Sequence, residues 1–150
     1  PNDEPIILIE GSIRKDTYTQ EEAISPYPND LNINHGVSIT PYDSNPWRYV
    51  NHSCNPYIGL KEDNGKFIVI AMKDIAPNEE LTINYAITEG NPYWQMKCNC
   101  QQPHCQKVIR SICHLPKHLF QTYKPYLLPF LKQAWEQEHF KQVLTKISLK

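Results

Sequence analysis

Short apolar stretches separated by Pro-, Asn- and Gly-rich punctuation run through the first 115 residues. Ile6 to Ile9 is a β-branched apolar run that predicts a strand, closed by a turn at Glu10-Gly11. Arg14 to Ala23 has helical composition in places, and Ser25-Pro26-Tyr27-Pro28-Asn29-Asp30 reads as a loop. From Leu31 to Ile39, Leu31, Ile33, His35, Val37 and Ile39 alternate with Asn32, Asn34, Gly36 and Ser38, the pattern of one half-exposed strand. Tyr57–Leu60 and Lys66–Met72 predict a hairpin turned at Glu62-Asp63-Asn64-Gly65, because Asn-Gly favours positive φ. Leu81 to Ala86 predicts a further strand. Many short strands with Pro-rich loops make the body mostly β.

The C-terminal segment has a different rhythm. Pro116 starts a short helix through Tyr123, Pro125 and Pro129 interrupt it, and Phe130 to Ile147 runs without Gly or Pro as a helix. Phe140, Val143, Leu144 and Ile147 form a stripe on that helix, expected to pack on the chain's own core rather than on a partner.

A chain of 150 residues with 40% hydrophobic content supports one core. No apolar run approaches the roughly 20 residues that cross a bilayer, so no membrane partner is expected. The first residues carry neither the basic start nor the apolar run of a secretory signal. Charge divides the chain: residues 1–95 hold 6 Lys/Arg against 14 Asp/Glu, a balance of −8, whereas residues 96–150 hold 9 against 2, a balance of +7. The acidic body would draw basic peptides, the basic tail offers a weak nucleic-acid contact, and the two halves would also attract each other. A nucleic-acid-binding module is disfavoured, since the net charge of −1 is not basic.

Cysteine usage adds chemistry. Cys98-Asn99-Cys100-Gln101-Gln102-Pro103-His104-Cys105 has the form C-x-C-x4-C, too crowded for disulfides and suited to one soft, tetrahedral ion such as Zn2+. Reduced thiols fit a nuclear or cytoplasmic site of action, and a secreted effector would look the same. A closed structural site needs four ligands, and the fourth comes from Cys54, His104 or Cys113. His104 lies between ligands, where strain opposes it; Cys113 would need the chain to double back; Cys54 would fasten the tail to the body.

Arg48-Tyr49-Val50-Asn51-His52-Ser53-Cys54-Asn55-Pro56 and Glu79-Glu80-Leu81-Thr82-Ile83-Asn84-Tyr85 resemble the two signature motifs of the SET domain, R-F-I-N-H-S-C-x-P-N and G-E-E-L-T-x-D-Y. The cysteine cluster resembles the post-SET motif that follows them, and short microbial SET proteins look most similar. The resemblance implies a mostly β, β-clip-like SET fold with knot-like threading, a zinc-binding post-SET loop and C-terminal helices. The implied division is a SET domain over 1–96, a post-SET zinc motif over 97–113 and a helical tail over 114–150. It also implies transfer of methyl groups from S-adenosylmethionine to a lysine of a protein substrate, such as a histone tail. Asn51, His52 and Arg48 are then expected at the cofactor, Tyr85 at the reaction centre, and Cys54 as the remote fourth ligand with Cys98, Cys100 and Cys105. Ile83 and Tyr27 are expected in the substrate channel, with Tyr42 and Tyr18 as further candidates for its second tyrosine. Ile83 stands where Phe or Tyr is usual, which implies room for two or three methyl groups.

The Gly-x-Gly strand that opens such domains and cradles the cofactor has no counterpart before Ile6, and Ile6–Gly11 resembles the strand that follows it. Tyr57, Asn78 and Asn84 also replace the motifs' Asn, Gly and Asp. A catalytically inactive SET fold acting as a zinc-stapled interaction module is the alternative reading.

Overall fold

Turn chemistry divides the body into small sheets. In the computed structural model, which describes residues 3–21, 23 and 29–148, Asn64 and Gly65 take φ of 50° and 75°. That left-handed pair closes the tight hairpin of β6 (Ile58–Asp63) and β7 (Lys66–Ala71), in register from Ile58↔Ala71 to Asp63↔Lys66. β1 (Pro5–Ile9) pairs antiparallel with the other edge of β7.

Glu10 marks a change of sheet where the sequence suggested a turn. β2 (Gly11–Lys15) continues directly from β1 and pairs with a different partner, β4 (Val37–Pro41). The single strand expected over residues 31–39 is two: β3 (Leu31–Asn34) folds back on β4 through His35-Gly36. Gly36 sits at φ 63°, and a Cβ there would lie 2.9 Å from the Asp16 carbonyl oxygen. Unbroken alternation concealed this turn, because a reversal at two polar positions leaves the apolar spacing intact. The inner face of this sheet is partly polar: Asn32 and Ser38 are buried, with Asn32 Nδ2 donating to Ser38 Oγ at 2.6 Å and Ser38 Oγ donating to Asp16. No α-helix forms among the described residues of 14–23; Arg14 and Lys15 complete β2 instead.

The strand expected over Leu81–Ala86 is limited to β8 (Thr82–Ile83), which lies parallel to β5 (Asn51–His52). Asn84 then accepts the Ala86 N–H at 3.0 Å and turns Tyr85–Ile87 into one 3-10 turn. β9 (Gln95–Lys97) and β10 (Val108–Arg110) form a hairpin whose loop carries three cysteines, so the boundary expected at residues 96 and 97 falls inside a strand.

The tail belongs to the same core as the sheets. α1 (Lys117–Tyr123) buries Phe120 and Tyr123, and α2 (Pro129–Ser148) buries Leu131 and Trp135. They join Leu31, Ile58, Leu60, Ile83 and Ile109 in one cluster. β6 and the segment between the helices press together at Gly59, where a Cβ would lie 2.4 Å from Tyr126 Cβ. Trp135 stacks on Phe120 with centroids 3.8 Å apart and donates Nε1–H to the Leu115 carbonyl at 2.7 Å. Contrary to expectation, the Phe140, Val143, Leu144 and Ile147 stripe does not reach the core; these residues are 48–65% exposed. The anchors of α2 are in its first two turns, and its later turns extend past the surface they would need.

Candidate functional site

The first motif is aimed by a 3-10 turn over Pro46–Tyr49, with Asn45 Oδ1 accepting the Trp47 N–H at 3.1 Å and Asn45 Nδ2 donating to the Leu8 carbonyl at 3.0 Å. The chain then enters β5, where Asn51 faces Thr82 and His52 faces Ile83. Ser53 N–H and Tyr57 N–H extend the contact by donating to the carbonyls of Ile83 and Thr82, each at 3.0 Å. Two segments 30 residues apart are thereby fixed side by side. Asn51 Nδ2 also donates to Glu80 Oε1 at 2.7 Å.

Tyr85 is held at both ends. Its backbone N–H donates to His52 Nδ1 at 3.0 Å, and its hydroxyl donates to the Val50 carbonyl at 2.8 Å. Burial raises its pKa, and Glu80 adds to the rise, so the phenol stays neutral. With its proton committed to Val50, the oxygen keeps lone pairs free to accept from a bound group.

Beside this tyrosine lies a sulfur cluster. The ligand atoms of His52, Cys54, Cys98 and Cys100 all fall within 4.8 Å of one another. Cys54 Sγ is 3.7 Å from Cys98 Sγ and 3.5 Å from His52 Nε2. Tetrahedral thiolates about 2.3 Å from zinc stand about 3.8 Å apart, so the Cys54–Cys98 spacing fits such an ion. Cys105 adjoins the group, its thiol 3.8 Å from the Cys98 carbonyl and its sulfur accepting the Lys107 N–H at 3.5 Å. Gln106 N–H points at Cys54 Sγ from 3.4 Å. Burial pushes the Cys54 and Cys98 thiols up. Burial also opposes ionisation of Cys100, yet N–H groups of Cys54 and Gln102 and the neighbouring thiols bring it down to about 6. Burial lowers His52 to about 4, so its imidazole is neutral. A bound cation would deprotonate the remaining thiols.

A polar groove of about 470 Å³ opens along this cluster, lined by His52, Ser53, Tyr57, Glu80, Asn99 and Cys100 among others. Arg48 turns elsewhere, with Nη1 3.3 Å from Asp43 and 3.4 Å from the Pro41 carbonyl. Ile83 is fully enclosed in the core, so in this structure it does not form an open channel wall. Tyr27 lies outside the described residues. Tyr42 is exposed, and the Tyr18 hydroxyl donates to Asn32 Oδ1 at 3.1 Å. Cys113 is buried near the Gly90 carbonyl, away from the cluster. The Val50 carbonyl, a backbone acceptor, leaves no side-chain signal in the sequence. Glu80 was visible within its motif, but its partner depends on the parallel pairing.

The SET-domain family model matches residues 1–86, more than half of the chain. The chain belongs to the SET-domain family. It is 36% identical over 67 residues to the histone-lysine N-methyltransferase, H3 lysine-4 specific, of Debaryomyces hansenii, covering 41% of this chain and 6% of that protein. It is 36% identical over 66 residues to the Drosophila melanogaster histone-lysine N-methyltransferase ash1, covering 41% and 3%. A third match, the human histone-lysine N-methyltransferase 2D, is 31% identical over 108 residues, covering 68% and 2%. The chain therefore spans only a few per cent of the length of these relatives. No helix among the described residues is long and apolar enough to cross a membrane.

Proposed function

We propose that this chain is a protein-lysine N-methyltransferase that uses S-adenosylmethionine, with a structural zinc ion held by the cysteine cluster. The observation that carries this is the double anchoring of Tyr85 by His52 and Val50, which brings the two motifs to one point beside a groove. S-adenosylmethionine supplies a methyl group on a positively charged sulfur, open to in-line attack by an amine. The groove beside His52, Glu80 and Asn99 is its proposed seat, with Asn51 hydrogen-bonded to the lining residue Glu80 and Arg48 outside it. Tyr85 positions the incoming amine and neither attacks nor ionises. A lysine must arrive neutral, against an ordinary pKa of about 10.4, and removal from water lowers it. Cys54, Cys98, Cys100 and Cys105 are the proposed zinc ligands, supported by the Cys54–Cys98 spacing, by Cys100 within the same close group and by Cys105 beside the Cys98 carbonyl.

Relatives named as histone-lysine methyltransferases support a histone tail as substrate and a nuclear site of action, and the acidic body suits a basic peptide. The test is incubation of the zinc-loaded protein with methyl-labelled cofactor and a lysine peptide library that includes histone tails. Label is expected on lysine, and is expected to fall sharply in Tyr85→Phe. Absence of saturable cofactor binding by calorimetry would instead favour a silent interaction module.

A further inference from the structure

The close group of metal-capable side chains contains His52, but the hydrogen bonds of that ring decide what it does there. A neutral imidazole carries one N–H. The Tyr85 backbone N–H is a donor only and lies 3.0 Å from His52 Nδ1, so Nδ1 presents its lone pair. The ring proton is then on Nε2, which faces Cys54 Sγ at 3.5 Å. To bind a cation through Nε2, the ring would have to lose its only proton or release the Tyr85 N–H. Cys54 Sγ also receives the Gln106 N–H at 3.4 Å, and Cys105 Sγ receives the Lys107 N–H at 3.5 Å. Donors converge on both sulfurs, as they do on thiolates.

We propose that His52 is a positioning residue linking the zinc cluster to Tyr85, and not itself a zinc ligand: its Nε2–H donates to the Cys54 thiolate and its Nδ1 accepts the Tyr85 N–H. This rests on the zinc reading above. The link runs from the ion through Cys54 and one rigid ring to the residue at which the 3-10 turn begins. The Tyr85 hydroxyl is already fixed to Val50, so orientation of the tyrosine depends on the cysteine cluster through His52 at one end and on the Val50 carbonyl, just before β5, at the other.

The two nitrogens are separable by substitution. His52→Asn keeps an acceptor at the δ position and loses the donor to Cys54; His52→Gln keeps a donor at the ε position and loses the acceptor for Tyr85. Zinc affinity, measured by chelator competition, is expected to fall roughly 10–100-fold in His52→Asn and to change less than about threefold in His52→Gln. Exchange of the Tyr85 amide in the zinc-loaded protein is expected to quicken roughly tenfold in His52→Gln but not in His52→Asn. The reverse pattern would overturn the proposal. Cobalt(II) in place of zinc should show thiolate charge-transfer absorption that falls by about a quarter in Cys105→Ser and is unchanged in His52→Asn. Loss of a nitrogen ligand in His52→Asn, with no effect of Cys105→Ser, would make His52 the ligand and sink the positioning role alone. If the unmodified chain binds neither ion, the zinc reading fails and takes this inference with it. Nitrogen-15 spectra of the unmodified zinc-loaded protein give a check that needs no variant: His52 is expected with Nε2 protonated and uncoordinated, and a protonated Nδ1 overturns the assignment.

Discussion

Asn84 and Tyr123 meet across the core, the Nδ2 of Asn84 donating to the Tyr123 hydroxyl at 3.4 Å, so that the second motif is tied directly to α1. Asn84 is fully buried, and its Oδ1 accepts the Ala86 N–H. An amide satisfies both partners at once without carrying charge, which gives a physical reason for Asn where the resembling motif has Asp. Asn84→Ala strands the Ala86 N–H and is expected to cost about 1–3 kcal/mol in urea unfolding. Asn84→Asp is expected to cost little near pH 4, where a neutral carboxyl could still donate to Tyr123. The cost should grow toward pH 8 as the buried group is forced to ionise. A cost independent of pH would contradict this account.

Glu89 gives the wild-type protein a pH dependence of its own. Burial is the main cause that raises its carboxyl from 4.5 to about 7; Asp16 and Asp30 add to the rise, and the Asn91 N–H on Oε1 opposes it. Between those pH values the folded state binds more protons than the unfolded chain. Stability is therefore fully present below about 4.5 and lost as pH rises through 7, with a ceiling of ~3 kcal/mol for this group. Burial pushes Asp30 the same way. Urea midpoints are expected to fall between about pH 5 and pH 7.5, and Glu89→Gln, which keeps an acceptor for Asn91, should flatten much of that slope. An unchanged slope in Glu89→Gln would assign the effect to other groups.

The two ends of α2 should respond very differently to mutation. Trp135 is enclosed between Phe120 and His139, whose rings are centred 3.8 and 3.6 Å from its own. Trp135→Ala is expected to cost about 3–5 kcal/mol. Among the described residues, a chain ending at His139 removes only exposed side chains, including Phe140, Val143, Leu144 and Ile147. That truncation is expected to leave the unfolding free energy, measured in urea, within about 0.5 kcal/mol of the full chain. A large loss on truncation would mean that the stripe finds a partner surface in solution.

What was legible in the sequence was local chemistry at fixed spacing. The motifs around Asn51-His52 and Ile83-Tyr85, the three clustered cysteines, the Asn64-Gly65 turn and the proline-delimited helices all announce themselves over a few residues. Periodicity alone left other features open. The stripe ending at Ile147 has helical spacing, but spacing cannot say whether a surface lies opposite, and the true anchors are Leu131 and Trp135. The β3–β4 reversal preserved the alternation, leaving Gly36 as its one local sign. His52 was identified by type, yet its role depends on which donor faces which nitrogen. That is set by the parallel pairing of β5 and β8, through contacts more than 30 residues apart.

Tyr85 offers the sharpest test of function. Tyr85→Phe removes the hydroxyl that donates to Val50 at 2.8 Å while leaving the ring and the backbone contact to His52. The stability cost is expected to be about 0.5–1.5 kcal/mol, that of one hydrogen bond. If the phenol positions the amine, methyl transfer should fall on the order of 10²-fold in kcat. The cofactor Kd, measured by calorimetry, should be nearly unchanged because the groove lining remains. Burial raises the Tyr85 pKa in the wild type, so its ionisation should produce no break in the rate profile near neutral pH. A large rise in cofactor Kd with kcat preserved would reassign Tyr85 from positioning the amine to binding the cofactor.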